Sequence, residues 1–581
     1  MKNLVKYSKG IRLISFLTVA LMCGEVLVET HLPKILAQII DYVTAIVNTG
    51  GSTADGLRYI YRMGALMVLL ALVGVTVHLI ANYASQKASF GLAHNLRIAA
   101  FDKIQVLGLK NIDKLTTTSL VVRLTNDISS VQNLFRQILG LGLRAPFMFI
   151  NSIIIAATLN KKLYLVFLYA IVPMIFTIVY RMNTALPTFK RVQKALDGLN
   201  DFVRENLLGI RVVKNYTKEQ EQTEVFDEIS GSYADVTANA NVKLAIIQPL
   251  MQLIMGFTTV GVIWYGGYLY MHNEVTIGII TALITYITQI LMSFRMMSNI
   301  IVNYSRTKVS IDRINEIIDT EPAVKEKENP TTELTDSGVE FKNVTFSYTD
   351  GGDDVLKNVS FVAQSGGVTA LLGGTGSGKS TLLHLIPRMY DVTDGEVVVG
   401  GVNVKELSLS VLRKNVAVVP QFSTLFSETV RANLMWGNAN ADEEQIKKAL
   451  HTACADEFVD KLSDGIDTFL ARGGKNLSGG QKQRLCIARA LIREPKILLL
   501  DDSLSAVDTK TDALIRERLM KNYPDTTTII IAQRIKSVKN ADKIYVIDGG
   551  KIVAEGTHTT LSQTNDIYKE IMDSQKEVAD A

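Results

Sequence analysis

The sequence predicts an all-α transmembrane domain of six helices with long cytoplasmic extensions, followed by an α/β domain built around a phosphate loop. Three observations carry this. Hydrophobic residues fill 48% of the 581 positions and charged residues only 20%, with a mean hydropathy of +0.19; that balance fits a membrane protein with a soluble part. Six long apolar segments occupy roughly 13–46, 59–107, 128–160, 163–213, 240–271 and 277–318, whereas a simple span needs about 20 residues. Gly373 through Ser380 then spell G-x-x-x-x-G-K-[ST], directly after the apolar run Val368–Leu372. A buried strand, a glycine-rich turn and a helix opening in that order make a phosphate cradle.

Taken in order, residues 1–12 carry Lys2, Lys6, Lys9 and Arg12 and read as a short basic element on the inner membrane surface. The apolar run that follows continues without a small-residue cleavage site, so it reads as a first span and not a leader. The membrane domain covers 13–318. The outer parts of its longest segments are polar (Lys87, His94, Arg97, Asp102 and Lys103, then Lys190, Arg191, Lys194, Asp197 and Asp201), so those helices run well beyond the bilayer. The connections at 48–58, about 160–162 and 271–276 are short. The others are long and basic, which puts both termini in the cytoplasm; Lys161 and Lys162 depart from that pattern. The polar turns around 109–121 and 212–228 read either as contact elements for a soluble motor or as plain solvated turns. Residues 319–338, charged and holding Pro322 and Pro330, read as a linker. Over 339–575 alternating strand patterns mix with helical ones, which predicts a soluble α/β domain with a parallel core sheet.

The net charge of +4 points to no nucleic-acid partner, since basic loops beside a membrane account for it. Cys23, Cys454 and Cys486 lie far apart and indicate neither a disulfide framework nor a metal site. Glu25 and Glu29 stand four apart, on one face of the first segment. Ionisable groups at membrane depth are candidates for binding a cationic substrate or a proton; alternatively they only position the helix, a reading Pro33 and Asp41 favour. Arg295, among Met292, Met296 and Met297, either lines an adaptable cavity or snorkels to the inner interface.

In the cradle, Gly373, Gly374, Thr375, Gly376, Ser377 and Gly378 let backbone N–H groups converge on phosphate. Lys379 reaches the β/γ-phosphates, Ser380 ligates Mg²⁺, and Thr381 follows at the helix start. Further features come in sequence around it: Tyr348, Gln421, Leu477-Ser478-Gly479-Gly480-Gln481, the run Ile497–Leu500 leading to Asp501-Asp502, Ser505–Asp508, and Ala532-Gln533-Arg534. This series resembles the nucleotide-binding domain of ABC transporters. The first half also resembles exporters of that family, at Ser119–Asp127, Leu143–Pro146 and Glu205–Lys214. The resemblance therefore covers nearly the whole chain, as a half-transporter in the cell membrane that binds ATP and Mg²⁺. It implies that Tyr348 stacks on adenine and that Ser380, Gln421 and Asp501 hold the metal. Ser478, Gly479, Gly480 and Gln481 would bind the ATP of a partner chain. The implied cargo is a small hydrophobic or amphipathic compound, drugs included, with lipid as the runner-up.

Two positions depart from the family pattern. Asp502 stands where relatives carry a catalytic Glu. It is one methylene shorter, which withdraws the carboxylate by about 1.3–1.5 Å and can cost about 10²-fold in rate. Gln533 stands at the switch-histidine position, and an amide cannot exchange a proton near neutral pH. Weakened catalytic residues beside an intact signature resemble one subunit of heterodimeric exporters, so a heterodimer is expected over a homodimer. The other readings are a slow homodimeric exporter or lipid flippase, and an ATP-binding regulator or ATP-gated channel.

Overall fold

The computed structural model describes residues 6–580 except Gly51, Asp350 and Ser505; within helices, the side chains at 167–168, 178, 181–186, 189–190, 244, 247 and 576–580 are not described. Residues 1–5 of the expected surface element and Ser505 of the Ser505–Asp508 loop thus lie outside the described residues. Two compact units emerge, one of Met1–Gln105 with Thr117–Thr320, the other of Val106–Thr116 with Glu321–Ala581.

The first unit consists of six long helical runs among the described residues: α1 (Arg12–Thr49), α2 (Thr53–Val106), α3 (Thr117–Leu159), α4 (Lys161–Leu208), α5 (Glu219–Met271) and α6 (Ile277–Asp319). Five of these, all but α4, hold a window long and apolar enough to cross a membrane among the described residues. The third and fifth runs begin at Thr117 and Glu219, well before the apolar limits at 128 and 240. Hydropathy reports the solvent around a helix and not the helix itself, so polar extensions escape an apolar window.

Close backbone approach sets the packing of α1 on α6. A Cβ on Gly278 would come within 2.2 Å of the Ala37 carbonyl. Asp41 accepts from the Gly278 N–H and the Thr276 hydroxyl, both at 2.7 Å, and so anchors the start of α6. In α1, Pro33 removes one backbone donor, and the Tyr286 hydroxyl donates to the Thr30 carbonyl at 2.7 Å. The α3 run contains two π-helical turns, Arg123–Asp127 and Ile138–Gly142. The first turn pins α3 to α6: Arg123 reaches Glu316 at 2.7 Å and the Arg313 carbonyl at 2.9 Å, while Asp127 accepts from Ser310 at 2.7 Å.

The second unit holds two sheets. One is antiparallel, in the order β2 (Leu356–Ala363), β1 (Val339–Phe346), β4 (Asp394–Val399) and β5 (Val402–Asn403). The other runs β10 (Lys551–Gly556), β9 (Lys543–Asp548), β3 (Val368–Leu372), β8 (Thr527–Ala532), β7 (Ile497–Asp501) and β6 (Val416–Val419). Its pairings are parallel except for the β9–β10 hairpin. Strand periodicity assigns its faces. Leu372, Leu498, Leu500, Ile530 and Val546 enter a core with the helices of 443–492, whereas Leu371, Ile497, Leu499, Ile529 and Ile547 enter a core shared with the antiparallel sheet. Both faces are therefore buried, which is why these strands read as unbroken apolar runs.

The charged stretch expected as a linker is tied to this unit. The Leu409 N–H donates to Glu326, Lys327 pairs with Glu406, and Arg388 donates to the Lys325 carbonyl. The short helix Leu109–Leu115 also belongs here: the Tyr390 hydroxyl donates to Asp113 at 2.6 Å, and Asn111 bonds the backbone of Glu321 and Ala323.

Candidate functional site

Parallel β3 and β7 bring the glycine loop and the Asp501-Asp502 pair to the same edge of the sheet, β8 running between them. The loop leaves β3 at Gly373, where a Cβ would meet the Ile547 carbonyl at 2.2 Å. It turns through Gly376 and Gly378 at φ +82° and +96°, a region that favours glycine. The helix α7 (Lys379–Leu385) then begins. The Lys379 ammonium folds back onto the loop, donating to the Gly373 carbonyl at 3.0 Å, the Gly374 carbonyl at 2.6 Å and Ser377 Oγ at 3.1 Å. Burial lowers the Lys379 pKa, against which the Asp501 and Asp502 charges act.

Beneath the loop, Ser380 Oγ donates to Asp501 Oδ1 at 3.0 Å. Burial pushes the Asp501 carboxyl above its usual range; the Ser380 hydrogen bond, His384 and Lys379 hold it down. A hydroxyl and a desolvated carboxylate side by side suit a hard divalent cation, which takes oxygen ligands. The residues present therefore fit Mg²⁺. Gln421, the third expected metal contact, stands exposed in the loop after β6, and among the described residues no hydrogen bond joins it to Ser380 or Asp501.

Asp502 follows at the end of β7 with φ +43°, a left-handed conformation in which Asp and Asn are enriched over other non-glycine residues. Burial raises its pKa, and the neighbouring Asp501 charge raises it further. Gln533 follows β8 and is exposed. Its carbonyl accepts from Gln575 Nε2 at 2.8 Å.

Tyr348 stands against the start of the helix that follows the loop. Its hydroxyl hydrogen-bonds Thr381 Oγ1 at 2.9 Å, and its ring meets Phe346 and Tyr390 edge-on, with centroids 4.9 and 5.3 Å away. Tyr390, in turn, is the residue bound to Asp113, and burial and that carboxylate both raise its pKa.

The signature segment opens a different helix. Ser478 caps α8 (Gly479–Leu491): its hydroxyl accepts from the Gln481 N–H at 3.3 Å, and its own N–H donates to Gln481 Oε1 at 2.8 Å. This reciprocal box satisfies two orphan donors. The backbone at Gly480 lies close to the next loop, since a Cβ there would meet the Ala506 carbonyl at 2.8 Å. Buried Gln483 accepts from the Ala506 N–H at 3.0 Å. These contacts tie the signature helix to Ala506. Reasoning from sequence missed Gln483, Tyr390 and Gln575, because each acts on a segment far along the chain.

In the first unit the structure joins Glu25 and Glu29 to partners that the sequence did not name. Arg144 reaches Glu25 at 3.1 Å and Glu29 at 2.6 Å, and His78 lies 3.1 Å from Glu25. The cluster links α1, α2 and α3 and fits the reading in which the glutamates position their helix. Arg295 is exposed on α6.

The chain also resembles known proteins over nearly its whole length. The profile of the ABC transporter transmembrane region matches residues 15–294, and that of the ABC transporter nucleotide domain matches residues 356–505. An uncharacterized ABC transporter ATP-binding protein of Bacillus subtilis (strain 168), YfiB, is 33% identical over 575 residues, 99% of this chain and 98% of its own. A probable multidrug resistance ABC transporter ATP-binding/permease protein of the same organism, YheI, is 31% identical over 585 residues, 99% of this chain and 97% of its own. A solved bacterial Atm1-family ABC exporter with ATP bound shares the fold, with a TM-score of 0.82 at 23% identity over 97% of each chain.

Proposed function

We propose a specific role for this chain from the premise that it belongs to the ABC transporter family, as a half-transporter with its transmembrane region and nucleotide domain in one polypeptide. It is an integral membrane protein, and its second unit is an ATPase domain coupled to transport. Within that frame the chain is one subunit of a heterodimeric exporter of hydrophobic or amphipathic compounds in the cell membrane. Its own site retains MgATP and turns it over slowly, while its signature completes the competent site of a partner.

One observation supports this reading: where the family resemblance puts the base and switch residues, this chain has Asp502 and Gln533, alongside a complete phosphate loop and a capped signature. When nucleotide binds, the Lys379 ammonium exchanges the carbonyls of Gly373 and Gly374 for phosphate oxygens. Ser380 and Asp501 would hold Mg²⁺, which neutralises phosphate charge when bound. Asp502 would orient the attacking water, but from a retracted position. Ser478, Gly479, Gly480 and Gln481 present the N-terminal end of α8, whose positive dipole suits the phosphates of an opposing ATP. ATP then favours the closed pair of domains because it touches both halves only in that state. The YheI similarity supports drug-like cargo.

The test is to purify the full chain alone and together with a partner half-transporter carrying Glu and His at the two positions, the first candidate being the sequence encoded next to this one. The expected result is slow ATP turnover alone and robust, transport-coupled turnover with the partner. Robust turnover and transport by the chain alone would sink the heterodimer reading.

A further inference from the structure

The switch segment is held by a residue more than 40 positions away. Gln575 lies on the C-terminal helix Asp566–Asp580, and its side-chain amide makes two hydrogen bonds to one short stretch of backbone. Its Nε2 donates to the Gln533 carbonyl at 2.8 Å, and its Oε1 accepts from the Ile535 N–H at 2.9 Å. Gln575 thus spans Arg534 and fixes the carbonyl and the N–H on either side of it.

The helix that carries Gln575 is firmly seated. Tyr568 is fully buried and shares a hydrogen bond of 2.7 Å with His558 Nδ1. Ile567, Ile571 and Met572 pack onto the core that also holds Ile535 and Val538. Tyr568, Ile571 and Gln575 are spaced i, i+3 and i+7, so one helix face delivers all three to the domain. Gln575 is the polar end of an otherwise apolar docking stripe.

We propose that Gln575 is a positioning residue for the switch: it sets where residue 533 stands beside the γ-phosphate, and the C-terminal helix thereby governs how long the site keeps ATP. The need for such a latch follows from the side chain it serves. A glutamine at 533 has no charge with which to find the phosphate, so its hydrogen bond depends on backbone placement. The proposal rests on the reading of residue 533 as the group facing the γ-phosphate; it does not depend on slow turnover.

The full chain in lipid nanodiscs is compared as wild type, Gln575→Ala and Gln575→Glu. Two quantities are read: deuterium exchange of the backbone amides of 534–538, and dissociation rates of a non-hydrolysable ATP analogue and of ADP. In Gln575→Ala the Ile535 amide exchanges faster, and the ATP analogue leaves roughly 3- to 10-fold faster, as the loss of one or two neutral hydrogen bonds predicts. ADP release is unchanged, because ADP has no γ-phosphate. Gln575→Glu keeps the acceptor for the Ile535 N–H but has no donor for the Gln533 carbonyl, so it falls between the two; with the docking stripe intact, it decides the matter if the alanine variant folds poorly. Unchanged exchange, unchanged release of the ATP analogue, or equal acceleration of the analogue and ADP would each overturn the proposal. Rapid hydrolysis by the wild type would count against the slow-site reading alone, since neither readout involves hydrolysis.

Discussion

If the retracted base limits turnover, lengthening it should raise the rate, and the structure bounds by how much. The perturbation is Asp502→Glu, made alone and with Gln533→His. Restoring the missing methylene recovers up to about 10²-fold, equivalent to about 2.7 kcal/mol at about 1.36 kcal/mol per decade. Against this stands the backbone: residue 502 has φ +43°, where a residue without the local hydrogen bonding of Asp or Asn pays about 1–2 kcal/mol. That cost is present in ground and transition states alike, so it lowers stability and leaves the rate gain for Asp502→Glu at up to about 10²-fold. The double variant should exceed it, because an imidazole at 533 adds a group able to donate and exchange a proton. The assay is phosphate release by the full chain in lipid with saturating MgATP, with Lys379→Ala as the non-binding control. No rise in the double variant, with ATP binding intact, would refute the argument that carboxylate reach and the switch side chain limit this site.

Two further outcomes follow from burial. If Asp501 holds Mg²⁺ as proposed, its carboxyl must be ionised, and burial raises that group's pKa; Mg²⁺-dependent ATP affinity would then be complete above the raised pKa and lost as pH falls through it, at a higher pH than an exposed aspartate would show. Binding titrations across the acid range check this, and Asp501→Asn should abolish the dependence along with the metal requirement. In the membrane unit, Arg144→Met leaves Glu25, only 7% exposed, with His78 in place of its arginine partner; breaking a buried pair costs about 3–5 kcal/mol, visible as a lowered melting temperature that adding Glu25→Gln partly restores.

What could be read from the sequence divides according to how far along the chain each feature reaches. The glycine loop, the signature and the strand before Asp501 are each contiguous, so their residue types and spacing already specify a turn, a cap or a buried strand. Gly373 shows the physical basis: the Ile547 carbonyl leaves no room for a Cβ, and the sequence records that crowding as glycine. Helix limits were less visible, because Thr117 and Glu219 open α3 and α5 in polar sequence that no membrane pattern marks. Least visible were pairings across distance. Glu25 could be flagged as a charge at membrane depth, yet Arg144 lies 119 positions away and nothing local to either residue names the other. Gln575 carries no local sign at all, since a glutamine on a polar helix is ordinary until the fold lays it against Gln533 and Ile535. The same division runs through the site itself. On the proposed reading, binding at this chain's own site rests on a contiguous part, the loop with Lys379, while the capped Ser478 serves a partner's ATP. On the same reading, turnover would rest on single residues held by distant ones: Asp502, at φ +43°, and Gln533, bonded by Gln575. If the two variants above raise turnover, such a site will have lost speed through two side chains while the loop that grips ATP stays in place.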